Sequence, residues 1–207
     1  MALWGDSHGA ATNKPKFLPQ DENSDYNRAD CYATNAGWVM QAGSKSSGNS
    51  NTSADPEILV ASGGLAGTSA TTGLRAPTVT SMRFVKGTTA TTDLTAADST
   101  ARVMVEITWD EAVTVAGSPQ VVVANNNASG GGYGNYTLTY TATGSTANRK
   151  RFTATSQSLG NTDVLTLGGS NISLNSGTIS DTAVGGTTLA ASIVLSGISA
   201  VAVTIAS

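Results

Sequence analysis

From Pro77 onward the chain falls into short runs of β-branched and other apolar residues, set apart by turn-forming residues at intervals of roughly 8–12 positions, the rhythm of a β-sandwich. The runs lie at 78–85, 101–109, 112–115, 120–124, 136–142, 151–155, 164–167 and 198–205, with weaker pieces at 172–174 and 193–195. Several alternate. Val103, Val105, Ile107 and Trp109 fall on one face of the second run, opposite Arg102, Glu106, Thr108 and Asp110 with Met104 the exception, so that one face is expected to be buried against a second sheet. The last run repeats this with Val201, Val203 and Ile205. In the fifth, Tyr136, Leu138 and Tyr140 oppose Thr137, Thr139 and Thr141, threonines that suit an exposed strand face.

The first 75 residues lack that rhythm. Pro15 and Pro19 punctuate the start, Asp21, Glu22, Asp25 and Asp30 make an acidic patch, and 43–55 is almost wholly small and polar. Apolar content gathers at Leu3-Trp4, Phe17-Leu18, Tyr26, Tyr32, 37–40 and 58–61, which predicts an extended arm and a small hairpin of two strands separated by a loose loop. Lys14-Pro15-Lys16 favours extended backbone between Trp4 and Phe17. The glycine- and threonine-rich stretch 63–73 reads as a connector. The expected architecture is thus all-β: an N-terminal arm and hairpin module over 1–75, and a β-sandwich over 76–207.

Composition narrows the function classes. The chain has 207 residues, 39% of them hydrophobic but only 5% aromatic and 12% charged, which starves a helical bundle and leaves a thin core of Val, Ile, Leu and Ala. A net charge of −3 offers no electrostatic footprint for nucleic acid or an anionic membrane. A lone cysteine, Cys31, and a lone histidine, His8, supply little for a disulfide, a metal centre or histidine chemistry, so no cofactor, metal or catalytic residue is expected. Met1 to Gly5 shows no basic stretch followed by an apolar run, which predicts folding in a cytoplasm. The apolar stretch 189–206 is interrupted by Ser192, Ser196, Gly197, Ser199 and Thr204 and reads as strand, turn, strand rather than a membrane span.

The stretch from Val103 to Val121, with Asp110-Glu111 turning the chain, Ala112-Val113-Thr114-Val115 as a strand and Gly117-Ser118-Pro119 as a corner, resembles a family of bacterial immunoglobulin-like repeats. The likeness continues through 136–140 and the turn at 177–181, and it implies an immunoglobulin-like sandwich; the Gly130-Gly131-Gly132 loop and the Arg149-Lys150-Arg151 strand entry depart from it. Met1-Ala2-Leu3-Trp4-Gly5, Lys14 to Leu18, Thr34 to Val39 and Glu57 to Ala61 resemble the opening of virion structural proteins of tailed phages of marine bacteria and cyanobacteria. That resemblance implies a non-enzymatic particle component. It would be assembled in the host cytoplasm, located on the outer surface of the head, bound to the major capsid protein or other virion subunits, and homo-oligomeric on the particle.

Candidate contacts follow from these readings. Trp4, Phe17, Leu18, Trp38, Ile58, Leu59 and Val60 are expected to meet the capsid or another partner, because large apolar side chains on an arm and a small hairpin need a surface to cover them. Asn125, Asn126, Asn127 and Tyr133, on a glycine-rich loop, are expected at an outer surface. Amides beside a tyrosine ring suit a glycan, which gives the alternative reading of a host-surface-binding module on a tail or fibre. Asp6-Ser7-His8 are adjacent on one terminus and do not converge as a triad must. The acidic patch lacks the glycine and glutamate of a calcium loop and reads as solvated. Arg149-Lys150-Arg151 reads as a charged sheet edge, with polyanion contact as the other option.

Overall fold

The computed structural model describes residues 15, 18, 27–66, 76–86, 89–90, 94–95, 103–154, 158–181 and 188–207. The chain is all-β. The N-terminal part holds β1 (Cys31–Thr34), β2 (Gly37–Met40) and β3 (Glu57–Ala61), an antiparallel sheet in that order. The larger part holds β4 (Val79–Lys86), β5 (Thr89–Ala90), β6 (Leu94–Thr95), β7 (Met104–Trp109), β8 (Val113–Ala116), β9 (Gln120–Asn125), β10 (Tyr136–Thr141), β11 (Arg149–Thr153), β12 (Val164–Leu167), β13 (Thr178–Asp181) and β14 (Val201–Ala206). Nine of these strands form one sheet, ordered β5-β4-β7-β11-β10-β9-β12-β14-β6, while β8 and β13 pair separately. The sheet curls until β14 lies against β4.

Alternation dictates what the curled sheet encloses. Val105, Ile107 and Trp109 of β7 are fully buried with Val121 and Val123 of β9, Leu138 of β10, Phe152 of β11, Leu165 and Leu167 of β12, and Val203 and Ile205 of β14. Each such side chain stabilises the fold by about 1.5–3 kcal/mol through removal from water. The Trp109 ring is fixed by its indole N–H, which donates to the Ser192 carbonyl at 2.9 Å, and the Ser192 amide in turn donates to Pro77 at 2.8 Å. These bonds close the sheet where β4 begins.

Two expectations change, and β7 is buried on both faces: Glu106 and Thr108, on its polar face, are only 2% and 1% exposed. The stretch 177–181, expected as a turn, contains β13, which pairs with β8 from Thr178↔Ala116 to Asp181↔Val113. The pieces 172–174 and 193–195 are not strands, although the Ile172 amide bonds to the Ile193 carbonyl at 3.0 Å. The expected hairpin is present as the antiparallel pair β2–β3, and β1 adds a third strand to it.

The small sheet has its own core of Leu18, Cys31, Ala33, Trp38, Met40 and Leu65, against which Leu59 and Val60 pack. The loop between β2 and β3 is held by local bonds: Ser44 Oγ caps a short 3-10 turn at Lys45–Ser47, and the Asn49 and Asn51 side chains accept from amides two residues on. Gly37 opens β2 with φ +133, and a Cβ there would run into the Val60 carbonyl. Gly37→Ala is therefore expected to loosen the β2–β3 pair and destabilise the chain by about 1–3 kcal/mol. A urea melt would register the loss as a lower midpoint, and an unchanged midpoint would contradict this close approach.

Candidate functional site

Two regions gather polar chemistry, and both turn inward. The first joins the N-terminal module to the larger β part of the chain. The Ala33 amide donates to the Asp110 carbonyl at 2.7 Å, and Ala33 and Glu111 form a parallel bridge. The buried Asn148 amide nitrogen donates at 3.1 Å both to the Ala29 carbonyl of the module and to the Trp109 carbonyl at the end of β7. Asp30 stands 3.1 Å from an Arg149 guanidinium nitrogen and also accepts from Ser46 at 2.9 Å and Asn27 at 3.2 Å. Asp30 is therefore not a solvated loop residue; it fastens the module. Asp21, Glu22 and Asp25 lie outside the described residues.

Beside this joint, Glu106 of β7 sits under three arginines. Arg83 of β4 reaches it at 2.6 Å and 2.8 Å, Arg151 of β11 at 2.6 Å and 3.2 Å, and Arg149 at 3.8 Å. Burial pushes the Glu106 carboxyl up, but the charges of Arg83 and Arg149 and the hydrogen bonds from Arg151 and Arg83 outweigh it, leaving the pKa below the usual carboxylate range. Because β11 is an interior strand between β7 and β10, Arg149-Lys150-Arg151 cannot guard an edge. The two arginines compensate Glu106 and Asp30, and the Lys150 ammonium donates to the Thr146 carbonyl at 2.6 Å, with burial holding its pKa down to about 8. These three residues form no polyanion surface.

Glu111 is different. It is 4% exposed, one carboxyl oxygen has no hydrogen-bond partner, and burial followed by the charges of Asp110 and Asp181 raises its pKa to about 8. Its two acidic neighbours already accept bonds elsewhere, Asp110 from the Thr78 amide and hydroxyl at 2.7 Å each and Asp181 from the Leu189 amide at 2.8 Å. Burial and its acidic neighbours thus favour the protonated form of Glu111 at the joint.

The second region is the glycine-rich loop after β9, organised by the fully buried Asp163. Asp163 accepts from Asn125 Nδ2 at 2.9 Å and from the Ser129 amide at 2.8 Å. Burial raises its pKa, but the backbone bond from Ser129 and the further bonds from Asn125, Ser129 and Gly160 prevail and lower it overall. Asn126 Oδ1 accepts from Val164 at 2.8 Å and Ala128 at 3.1 Å; the Asn127 amide donates to Asn125 Oδ1 at 2.9 Å, with φ +53. The side-chain groups of Asn125 and Asn126 therefore frame the loop itself, while Tyr133 stays half-buried with its ring near Gly131. Asp163 was not among the candidate residues, and only the turn residues Gly160 and Asn161 before it marked a tight approach.

The expected partner contacts separate. Leu18 and Trp38, at 6% and 2% exposure, are covered by the module's own core and have no surface to offer a partner; that expectation is corrected by intrachain packing. Ile58 is 54% exposed on β3, and Leu59 and Val60 are half-buried beside it. Trp4, Phe17 and the segment Asp6-Ser7-His8 lie outside the described residues. Among the described residues no group of three or more His, Cys, Asp or Glu is placed to hold a metal ion. Comparison with family models, curated proteins and solved structures returned no match.

Proposed function

We propose that the chain is a non-enzymatic structural component of a phage virion, a decoration or cement protein on the head, attached through its N-terminal module and projecting an immunoglobulin-like domain. The observation that carries this reading is the joint at Ala33, Asp30 and Asn148. Buried bonds tie the module to the sandwich, so whatever holds the module also holds the sandwich at a fixed orientation. A separately tethered binding module has no need of such a joint.

The immunoglobulin-like part of the reading is supported by strand order. Lettered along the chain, β4, β7, β9, β10, β11, β12 and β14 are A to G, and the sheet runs A-B-E-D-C-F-G. That order matches the ABED and CFG sheets of an immunoglobulin domain run together through the β9–β10 pair, which supports the reading. With Leu18 and Trp38 inside the module, β3 is an edge of the described module open to neighbours on the particle, and Trp4 and Phe17 stay assigned to the shell by sequence alone. The test is co-sedimentation of the intact chain with phage heads prepared without it. Pelleting with the heads is expected, and a chain that stays in the supernatant at saturating concentration would overturn the reading. The glycan-binding alternative has less to stand on, because the Asn125 and Asn126 side chains already bond within their own loop.

A further inference from the structure

The joint between β1 and the turn after β7 is made of few bonds, and it includes a buried carboxyl. Ala33 donates its amide to the Asp110 carbonyl at 2.7 Å and bridges Glu111 in parallel, Asn148 reaches the Ala29 carbonyl at 3.1 Å, and Asp30 meets Arg149 at 3.1 Å. Glu111 is 4% exposed, and its Oε1 is buried with no hydrogen-bond partner. Among the described residues the charges that act on it are both acidic: Asp110, its neighbour in the chain, and Asp181 of β13. The basic groups nearby in the fold are engaged elsewhere, Arg149 with Asp30, Arg151 with Glu106 and Lys150 with the Thr146 carbonyl. On the module side, burial keeps the Tyr32 phenol neutral, and the Cys31 thiol lies in the module's own core. Thr78 and Asn148, the other polar side chains bonded at this turn, carry no charge.

We infer that Glu111 is a pH-sensitive catch: ionisation of its carboxyl parts β1 from the turn after β7 and frees the N-terminal module, while the curled sheet stays folded. A carboxylate buried without a counter-charge is far less stable than one in water, so a charged Glu111 must be reached by solvent. Solvent can enter by parting β1 from the turn or by parting β8 from β13. The second route breaks a ladder of four residue pairs, with Ile179 buried in the main core. The first breaks only the bonds of the joint, between two parts that each keep a core of their own. The joint therefore opens first. In the closed state the Glu111 pKa is raised to about 8, and in the open state it returns to the ordinary carboxyl range. Closure is thus fully favoured below about pH 4.5, loses ground as the pH rises to about 8, and levels off above that. This behaviour belongs to the joint itself and does not depend on where the chain is attached.

Amide hydrogen exchange on the whole chain from pH 5 to pH 9, with each rate divided by that of an unstructured peptide, reads the opening directly. The Ala33 amide reports the joint through its bond to Asp110. The Asp181 amide, bonded to the Leu189 carbonyl at 2.9 Å, reports the β13 side, and the Ile205 amide, bonded to the Asp163 carbonyl at 2.8 Å, reports the curled sheet. Protection at Ala33 is expected to fall about tenfold for each pH unit up to about pH 8 and to level off beyond it. It should be lower than at Ile205 and insensitive to urea up to roughly 1 M, because a local opening exposes little surface, whereas Ile205 should respond to urea. In Glu111→Gln the fall at Ala33 with pH should vanish. Flat protection at Ala33 in wild type, or the same fall in Glu111→Gln, would overturn the catch. So would one shared urea dependence at Ala33 and Ile205, which would mean that the whole fold opens, or a greater loss at Asp181 than at Ala33, which would place the opening at β13.

Discussion

Glu106→Gln is expected to lower the unfolding free energy by about 3–5 kcal/mol, the loss typical when one partner of a buried ion network is removed and the others are left charged. The side chain has nowhere to relax: it is 2% exposed and contacted from β4 by Arg83 and from β11 by Arg151 and Arg149. Gln keeps the shape and one acceptor but leaves guanidinium groups without their counter-charge in low dielectric. A domain stable by about 5–15 kcal/mol would lose a large share of its margin. In wild type the carboxyl pKa is held below its unfolded value, so its contribution is complete above about pH 4.5 and disappears as acid protonates the folded state. Urea melts at pH 7 and pH 3 should therefore separate wild type from Glu106→Gln more widely at the higher pH than at the lower. Equal midpoints at pH 7 would show that the arginines need no carboxylate.

Glu111→Gln is expected to act in the opposite direction, raising stability at pH 7 by about 3 kcal/mol, which is some 1.4 kcal/mol for each unit between an ordinary glutamate pKa and neutrality. Glu111 is buried without a partner for one oxygen, beside Asp110 and Asp181, and its folded pKa lies near 8. Folding must keep this acid protonated. As pH rises from about 4.5 to 8 the unfolded chain ionises while the folded chain does not, so wild-type stability falls across that window and levels off above it. The glutamine variant removes this fall, and its amide N–H brings a donor among carboxylates. Melting temperatures from pH 4 to pH 9 provide the check: the two curves should start together and diverge with pH. A variant less stable than wild type at pH 7 would mean that Glu111 is ionised and held by a partner.

The core-facing strands were legible because alternation is a local property. Val105, Ile107 and Trp109 point where their spacing placed them, and so do Val203 and Ile205. What alternation does not encode is a second layer over a polar face. Glu106 and Thr108 look solvated on one strand and become buried only once arginines from two other strands lie over them. β13 escaped because Ile179 is its one large apolar residue, too little pattern to distinguish a strand from a turn. The joint was hidden for another reason. Asn148 contacts Ala29 across 119 positions, and neither residue carries a local signal of the other. The contact residues divide on the same principle: the hydrophobicity of Leu18 and Trp38 signals a need for cover, but it cannot say that the cover comes from Met40 and Leu65 of the same chain rather than from a partner.

Attachment through the module with β3 open to its neighbours is tested most directly by co-sedimentation of wild type and Ile58→Lys, side by side, with heads prepared without the chain. Ile58 is exposed, so the substitution should leave folding within about 0.5 kcal/mol. The expected result is that wild type pellets with the heads while Ile58→Lys, which puts a charge on the open strand, is largely retained in the supernatant. Equal pelleting of the two, or pelleting of neither, would contradict it.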